Sequence, residues 1–163
     1  MKSDDLSWCM RQKKGLRLTK PSDNLCRVYL AKSKGSLNML KSAVEKDEVD
    51  WIVSTSYYAK YFAFYALFSK CGFKCEIHDC TISAMKVLFV DIGIIEKKFY
   101  DELSKSKDLR IDVQYYAYRG LDKERIMRFA NSAGDFVLEM EKIIEKISKE
   151  QIDGVREKFR KLR

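Results

Sequence analysis

One segment, running from Trp51 to Gly72, constrains the fold of this chain more than any other. It carries aromatic residues in two stripes at helical spacing, with small alanines between them. The first stripe is Trp51, Thr55, Tyr58, Phe62 and Tyr65, and the second is Tyr57, Tyr61, Phe64 and Phe68. Because a helix that is apolar on nearly every side must be surrounded by other helices, the segment predicts a central core helix. Gly72 supplies the left-handed residue that ends it.

The rest of the chain also favours helices. Only one proline and seven glycines occur in 163 residues, and no strand-like alternation is evident. Two further helices are predicted before the aromatic one: a short helix from Ser3 or Asp4 to Lys14, and a second that begins at a cap at Ser22, Asp23 or Asn24. Three are predicted after it. They run from residues 79–81 to Gly93, from Ile95 toward Tyr118 with a break near Asp108, and from a cap at Asp122 to Gly154. Residues 73–80 are predicted to form a loop. The predicted fold is all-α, an up-and-down helical bundle with a short N-terminal leading helix.

Composition narrows the class of protein. The net charge of +8 favours a nucleic-acid or other polyanionic partner, although solvated lysines alone would give the same balance. No apolar run approaches the length needed to cross a bilayer, and the N-terminus lacks the apolar stretch of a secretory signal. We therefore expect a cytoplasmic protein without membrane contact, in which the five cysteines are reduced thiols.

The order of several motifs resembles the HEPN family, the nucleotide-binding domains of higher eukaryotes and prokaryotes, and within it the small stand-alone archaeal and bacterial members. These motifs are the run Ser-Tyr-Tyr-Ala-Lys-Tyr-Phe-Ala-Phe-Tyr-Ala-Leu at 56–67, Gly72-Phe73, His78, Leu109-Arg110 and Tyr115-Tyr116. The likeness divides the chain into an N-terminal extension (1–21), a HEPN-like bundle (22–149) and a charged C-terminal tail (150–163).

The resemblance implies a homodimer that binds RNA or a nucleotide. Active members use an arginine followed, after four to six intervening residues, by a histidine, and two protomers together form an RNA-cleaving cleft. Arg110 occupies the arginine position here, whereas Tyr115, Tyr116 and Ala117 stand where histidine would be. The degenerate catalytic motif is therefore Arg110, Tyr115 and Tyr116, and the binding residues implied are Arg110, Asp112 and Tyr118.

The missing histidine bears directly on catalysis. Histidine titrates near neutral pH, whereas tyrosine has an ordinary pKa near 10 and is a poor proton acceptor. Arg110 could still clamp a phosphate, or it could pair with Asp108 or Asp112. We therefore expect a catalytically degenerate module of toxin–antitoxin or defence type. The alternatives are an active metal-independent ribonuclease with a substituted base and a structural module that binds no nucleic acid.

Partner and metal sites are less clearly marked. Some relatives act with a minimal nucleotidyltransferase that modifies a tyrosine beyond the motif, which would correspond to Tyr118 if Tyr116 takes the histidine place. Cys71, Cys75, His78 and Cys80 are zinc-ligand types, but they lie together rather than as pairs on two separate arms. We predict no metal and no cofactor, and we expect His78 to make a structural contact before the fourth helix.

Overall fold

The computed structural model describes residues 6–115 and 122–163, and it confirms the all-α prediction. The helices are α1 (Ser7–Arg11), α2 (Asp23–Glu45), α3 (Val49–Lys70), α4 (His78–Met85), α5 (Lys97–Tyr115), α6 (Lys123–Asn131), α7 (Ala133–Lys146) and α8 (Lys149–Lys161). A π-helical segment, Lys86–Val90, continues α4. Among these described residues, no helix is both long and apolar enough to span a bilayer.

The aromatic helix α3 lies at the centre, as its sequence predicts. Its second stripe, from Tyr57 to Phe68, is buried: the Tyr61 ring stacks on His78 of α4, and Phe64 and Phe68 pack against Phe89 of the π-helical segment. Its first stripe runs outward, from an almost buried Tyr65 to Trp51, which is 64% exposed. Gly72 follows the helix with a φ of +78°, a conformation that side-chain-bearing residues rarely adopt. The helix therefore presents a buried aromatic face and a partly open one.

Two short strands correct the prediction that the chain contains none and that residues 73–80 form only a loop. Strand β1 (Arg17–Leu18) pairs antiparallel with β2 (Phe73–Lys74). The pairing brings the N-terminal segment beside the end of α3. Arg156 of α8 joins the same region, because its Nη1 donates to the carbonyl oxygens of Thr19, Cys71 and Gly72 at 2.9–3.0 Å.

Several helix boundaries also differ from prediction. Helix α4 begins at His78 rather than at residues 79–81, and α5 continues without a break through Asp108. The long final helix is divided into α6, α7 and α8, and Gly154 lies within α8 instead of ending a helix. The second division follows from a capping box at the start of α8. The Ser148 side chain accepts a hydrogen bond from the Gln151 amide, and the Gln151 side chain accepts one from the Ser148 amide.

A disulfide between Cys9 and Cys80 contradicts the expectation that all five cysteines are reduced. It links α1 to α4 across 71 residues of sequence, and both cysteines are buried. Cys26, Cys71 and Cys75 remain free and buried. Burial raises the pKa of the Cys71 thiol to about 12, so this thiol is protonated and unreactive at neutral pH.

Candidate nucleic-acid or nucleotide site

Arg110 lies against two consecutive tyrosines of the central helix. Its guanidinium carbon is 4.8 Å from the centre of the Tyr57 ring and 5.5 Å from that of Tyr58. Arg110 Nη1 donates a hydrogen bond to Tyr58 Oη at 3.1 Å, whereas Nε is buried with no partner among the described residues. The rings stabilise the cation and fix its plane while one N–H of the guanidinium stays unpaired.

His78 lies on the other side of Tyr57. Its Nδ1 is 2.7 Å from Tyr57 Oη, and its ring stacks on that of Tyr61 at 4.1 Å with an interplanar angle of 13°. It is the first residue of α4, and the residue before it, Ile77, provides no side-chain cap for the helix. His78 thus attaches the start of α4 to α3. Arg110, Tyr57, Tyr58, Tyr61 and His78 are called the Arg110 cluster below.

The electrostatics of this cluster favour neutral groups around a single cation. Burial lowers the pKa of His78, and the nearby Arg110 charge lowers it further. Burial also raises the pKa of Tyr57 and of Tyr61 above the ordinary range of a phenol. Near neutral pH the imidazole and both phenols are therefore uncharged. The cluster combines one positive charge with hydrogen-bonding hydroxyl groups, an arrangement suited to holding an anion.

The other site residues predicted from the sequence make no contact with the Arg110 cluster in the part of the chain that the structure describes. Tyr115 is the last residue of α5 and is 75% exposed. Asp112 is exposed, and neither it nor Asp108 forms an ion pair with Arg110 in the described part of the chain. Asp108 instead lies 3.8 Å from Lys107 Nζ. Tyr116 and Tyr118 lie outside the described residues.

The residues considered as zinc ligands make other contacts in the structure. Cys80 is bonded to Cys9, Cys75 Sγ donates to the carbonyl oxygen of Ile77 at 3.4 Å, and His78 contacts Tyr57. Across residues 6–115 and 122–163, no three His, Cys, Asp or Glu side chains come together in a way that could hold a metal ion.

A buried lysine is the polar feature that sequence reasoning missed. Lys60 is fully buried in α3, and its Nζ lies 2.9 Å from Glu102 Oε1 and donates to the carbonyl oxygen of Phe129 at 2.8 Å. Burial lowers the pKa of Lys60, against the opposing effect of Glu102. Ser132, between α6 and α7, accepts from Lys60 and donates to Glu102. We interpret this polar centre as structural, because its groups form hydrogen bonds and an ion pair with one another.

Lys60 also explains the division of the final helix. The carbonyl oxygen of Phe129 accepts hydrogen bonds from both Lys60 and Ser56 of α3. These side chains bind a carbonyl oxygen in the last turn of α6, directly before the break at Ser132, and side chains that enter the helical hydrogen-bond ladder are a known cause of helix breaks. The only sequence signal for this centre was a lysine within an apolar helix.

Comparison with known proteins identifies the family of this helical bundle. The HEPN domain family matches residues 26–151, which is most of the sequence. The chain therefore belongs to the HEPN family, whose members are generally nucleotide-binding or ribonuclease-like. No curated protein matches the sequence significantly.

Proposed function

We propose that the protein is a HEPN dimer that binds RNA or a nucleotide through Arg110 and does not cleave RNA. The observation that carries the proposal is the placement of Arg110, which is fixed between Tyr57 and Tyr58 without a carboxylate partner in the described chain. An arginine oriented by aromatic rings and not neutralised by an acid is well suited to bind phosphate. The +8 net charge of the chain supports a polyanionic ligand.

The lack of cleavage follows from the groups around Arg110. Tyr115, Tyr116 and Ala117 stand where active relatives carry histidine, so these positions lack the imidazole that serves as a proton acceptor and donor. His78 is nearby, but its Nδ1 is engaged with Tyr57 and burial holds it neutral. The role we propose is that of a degenerate module in a toxin–antitoxin or defence setting, with a minimal nucleotidyltransferase as a candidate partner acting on Tyr118.

A dimer is supported by the exposed apolar side chains at one end of α2 and α3. Met39 and Trp51 are 59% and 64% exposed and line a shared surface depression with Thr55. Thr55 and Tyr58 continue this stripe along α3 toward Arg110. We propose that a second copy covers the stripe, which would bring the Arg110 clusters of two protomers close together. HEPN domains commonly dimerise.

One observation favours a second candidate function, an active ribonuclease. His78 and Arg110 both contact Tyr57, so one side chain links the imidazole to the arginine of the proposed phosphate site. In that case His78 would use its Nε2 as the substituted base. A cleavage assay described in the Discussion separates this candidate from the inactive one.

The binding proposal is tested with fluorescently labelled single-stranded RNA at several salt concentrations. We expect Arg110→Ala to weaken binding and to reduce the slope of log affinity against log salt by about one unit or less. Arg110→Lys should keep the charge but lose the planar fork, and so should recover only part of the affinity. Arg160→Ala, which removes an exposed arginine on α8, is the matched control. Equal affinity and slope for the Arg110→Ala variant and the parent would overturn the proposal.

A further inference from the structure

A cavity of about 670 Å³ lies between α1, α4 and α5. It is within the size range of small-ligand sites. Its walls carry two aromatic side chains, two serines, one carboxylate and one ammonium, together with two isoleucines. They are Trp8, Tyr100, Ser83, Ser104, Asp79, Lys107, Ile77 and Ile82. The function proposed above makes no use of these residues.

Trp8 is held at this cavity by covalent and backbone links. The neighbouring Cys9 is bonded to Cys80 of α4, and the carbonyl oxygen of Cys9 accepts from the amide of Leu16 at 2.9 Å. The Trp8 side chain itself is 44% exposed, although Leu6 and Cys9 on the same short segment are buried. The N-terminal segment thus fixes a large, partly exposed aromatic ring on the cavity wall, at little further cost in conformational entropy when a ligand binds.

The cavity adjoins the Arg110 cluster. Asp79 follows His78 in α4, and Lys107 lies one helical turn before Arg110 in α5. Lys107 Nζ forms an ion pair with Asp79 at the cavity wall, and Lys107 is largely buried there. His78 of the Arg110 cluster is close enough to Asp79, Lys107 and Arg110 for all three charges to act on it, so the cavity wall and the cluster are neighbours.

We propose that this cavity receives an unpaired nucleobase of a single-stranded RNA whose backbone phosphate is held by Arg110. Indole and phenol rings bind bases by stacking, and every base offers a ring face, so the site would tolerate different sequences. Ser83 and Ser104 supply hydroxyl groups for base edges, and the ion pair of Lys107 with Asp79 adds polar atoms to the same wall. The inference rests on the proposed function, since it names the class of nucleic acid that the same surface takes.

Trp8 fluorescence gives a direct test. The chain has two tryptophans, so Trp51→Phe leaves Trp8 as the sole indole while keeping an aromatic ring at position 51. This variant is titrated with a 12-nucleotide oligoadenylate and with an abasic sugar–phosphate chain of the same length. We expect the oligoadenylate to quench Trp8 and to bind roughly ten-fold more tightly than the abasic chain, the effect of about one lost stacking contact.

Substitution of Trp8 completes the test. In the parent background, Trp8→Ala should lose most of the preference for the chain with bases, and Trp8→Phe should keep part of it. Because Trp8 is partly exposed, its removal is not expected to unfold the protein.

The outcomes separate this inference from the proposed function. Equal affinity for the two probes, with binding that still depends on Arg110, would overturn the base site and leave the Arg110 site standing. Failure of the parent to bind either probe would overturn both. A preference for bases that persists in Trp8→Ala would place the base elsewhere and overturn the assignment of this cavity.

Discussion

Tyr57 Oη lies 2.7 Å from Nδ1 of His78, and this single hydrogen-bonding contact attaches the first residue of α4 to the central helix. The ring of the same tyrosine lies 4.8 Å from the guanidinium carbon of Arg110. Tyr57 therefore contacts the candidate anion-binding residue of α5 and the only histidine of the chain at once. The protonation of His78 should consequently report on the charge at Arg110.

We expect the pKa of His78 to lie below its ordinary value of about 6.5 in the folded protein. Burial is the main cause, and the charges of Arg110 and Lys107 act in the same direction against the opposing charge of Asp79. Because His78 is the only histidine, a proton NMR titration of its imidazole signals needs no assignment by mutation. Arg110→Gln should raise this pKa. A parent value at or above 6.5 would contradict the burial of the ring.

The same shift fixes the sign of a stability effect. Between the lowered folded pKa of His78 and its unfolded value, the unfolded chain binds more protons than the folded one. The free energy of unfolding should therefore decrease as the pH falls from about 6.5 through this window. His78→Phe should show a flatter pH dependence in urea unfolding at pH 5–8. Identical pH profiles for the parent and the variant would exclude this contribution.

Catalysis is tested with labelled RNA in excess chelator at neutral pH. We expect no cleavage above background from the parent, because the motif positions 115 and 116 carry tyrosine in place of the histidine that active relatives use. Tyr115→His and Tyr116→His restore an imidazole at the motif positions, and activity that appears in only one of them would identify the motif position. Cleavage by the parent that is abolished by Arg110→Ala would contradict the inactive assignment. If His78→Ala alone also abolished that cleavage, His78 would be the substituted base.

Lys60 and Glu102 should be energetically coupled. Lys60→Met removes the buried charge and leaves Glu102, Ser132 and the Phe129 carbonyl short of a donor, so we expect a loss of about 3–5 kcal/mol in unfolding free energy. Adding Glu102→Gln to Lys60→Met should destabilise the protein less than the sum of the single substitutions. Urea unfolding of the four proteins measures the coupling. Strict additivity would show that the pair does not act as a unit.

The cysteines give a test that needs only thiol counting. In denaturant without reductant, the oxidised protein should show three reactive thiols of its five cysteines, because Cys9 and Cys80 are paired. Cys9→Ser with Cys80→Ser should lower the unfolding free energy by about 2–4 kcal/mol, since the bond closes a long loop. Five reactive thiols in protein purified without reductant would contradict the bond.

Light scattering at micromolar concentration should give a mass of twice the 19.1 kDa of one chain. Trp51→Ala should shift the population toward the monomer because it removes the most exposed large side chain of the proposed contact stripe. Leu25→Ala, which alters a similarly exposed apolar residue at the other end of α2, is the matched control. A parent that is monomeric at this concentration would contradict the proposed dimer.

The sequence predicts the fold through features that are local. The period of the aromatic stripes, the caps at Ser22 and Asp122 and the left-handed Gly72 all act within a few residues, and the structure confirms them. The division of the last helix was missed for two reasons. The Ser148 capping box is a local signal that the continuous apolar period of the segment masks, whereas the break at Ser132 involves Lys60, which is far away in the chain.

The candidate site was only partly predictable for the same reason. Arg110 is identified by its place in the family motif, but its contacts with Tyr57 and Tyr58 join residues more than fifty positions apart. The Cys9–Cys80 bond and the cavity beside Trp8 likewise depend on how α1 packs on α4. Periodicity gave the tyrosines as core residues and could not show which of them reach an arginine. The division of the chain into extension, bundle and tail stays a prediction.

The position of Arg156 has a consequence for anyone who shortens this protein. The family match ends at residue 151, within α8. Beyond it, Arg156 donates to the carbonyl oxygens of Thr19, Cys71 and Gly72, and the Phe159 ring packs edge-on against Phe73 at 5.5 Å. A fragment cut at the family boundary would expose that ring and leave those carbonyls to water. We therefore expect a fragment that ends at residue 151 to be less stable than a chain that includes all of α8.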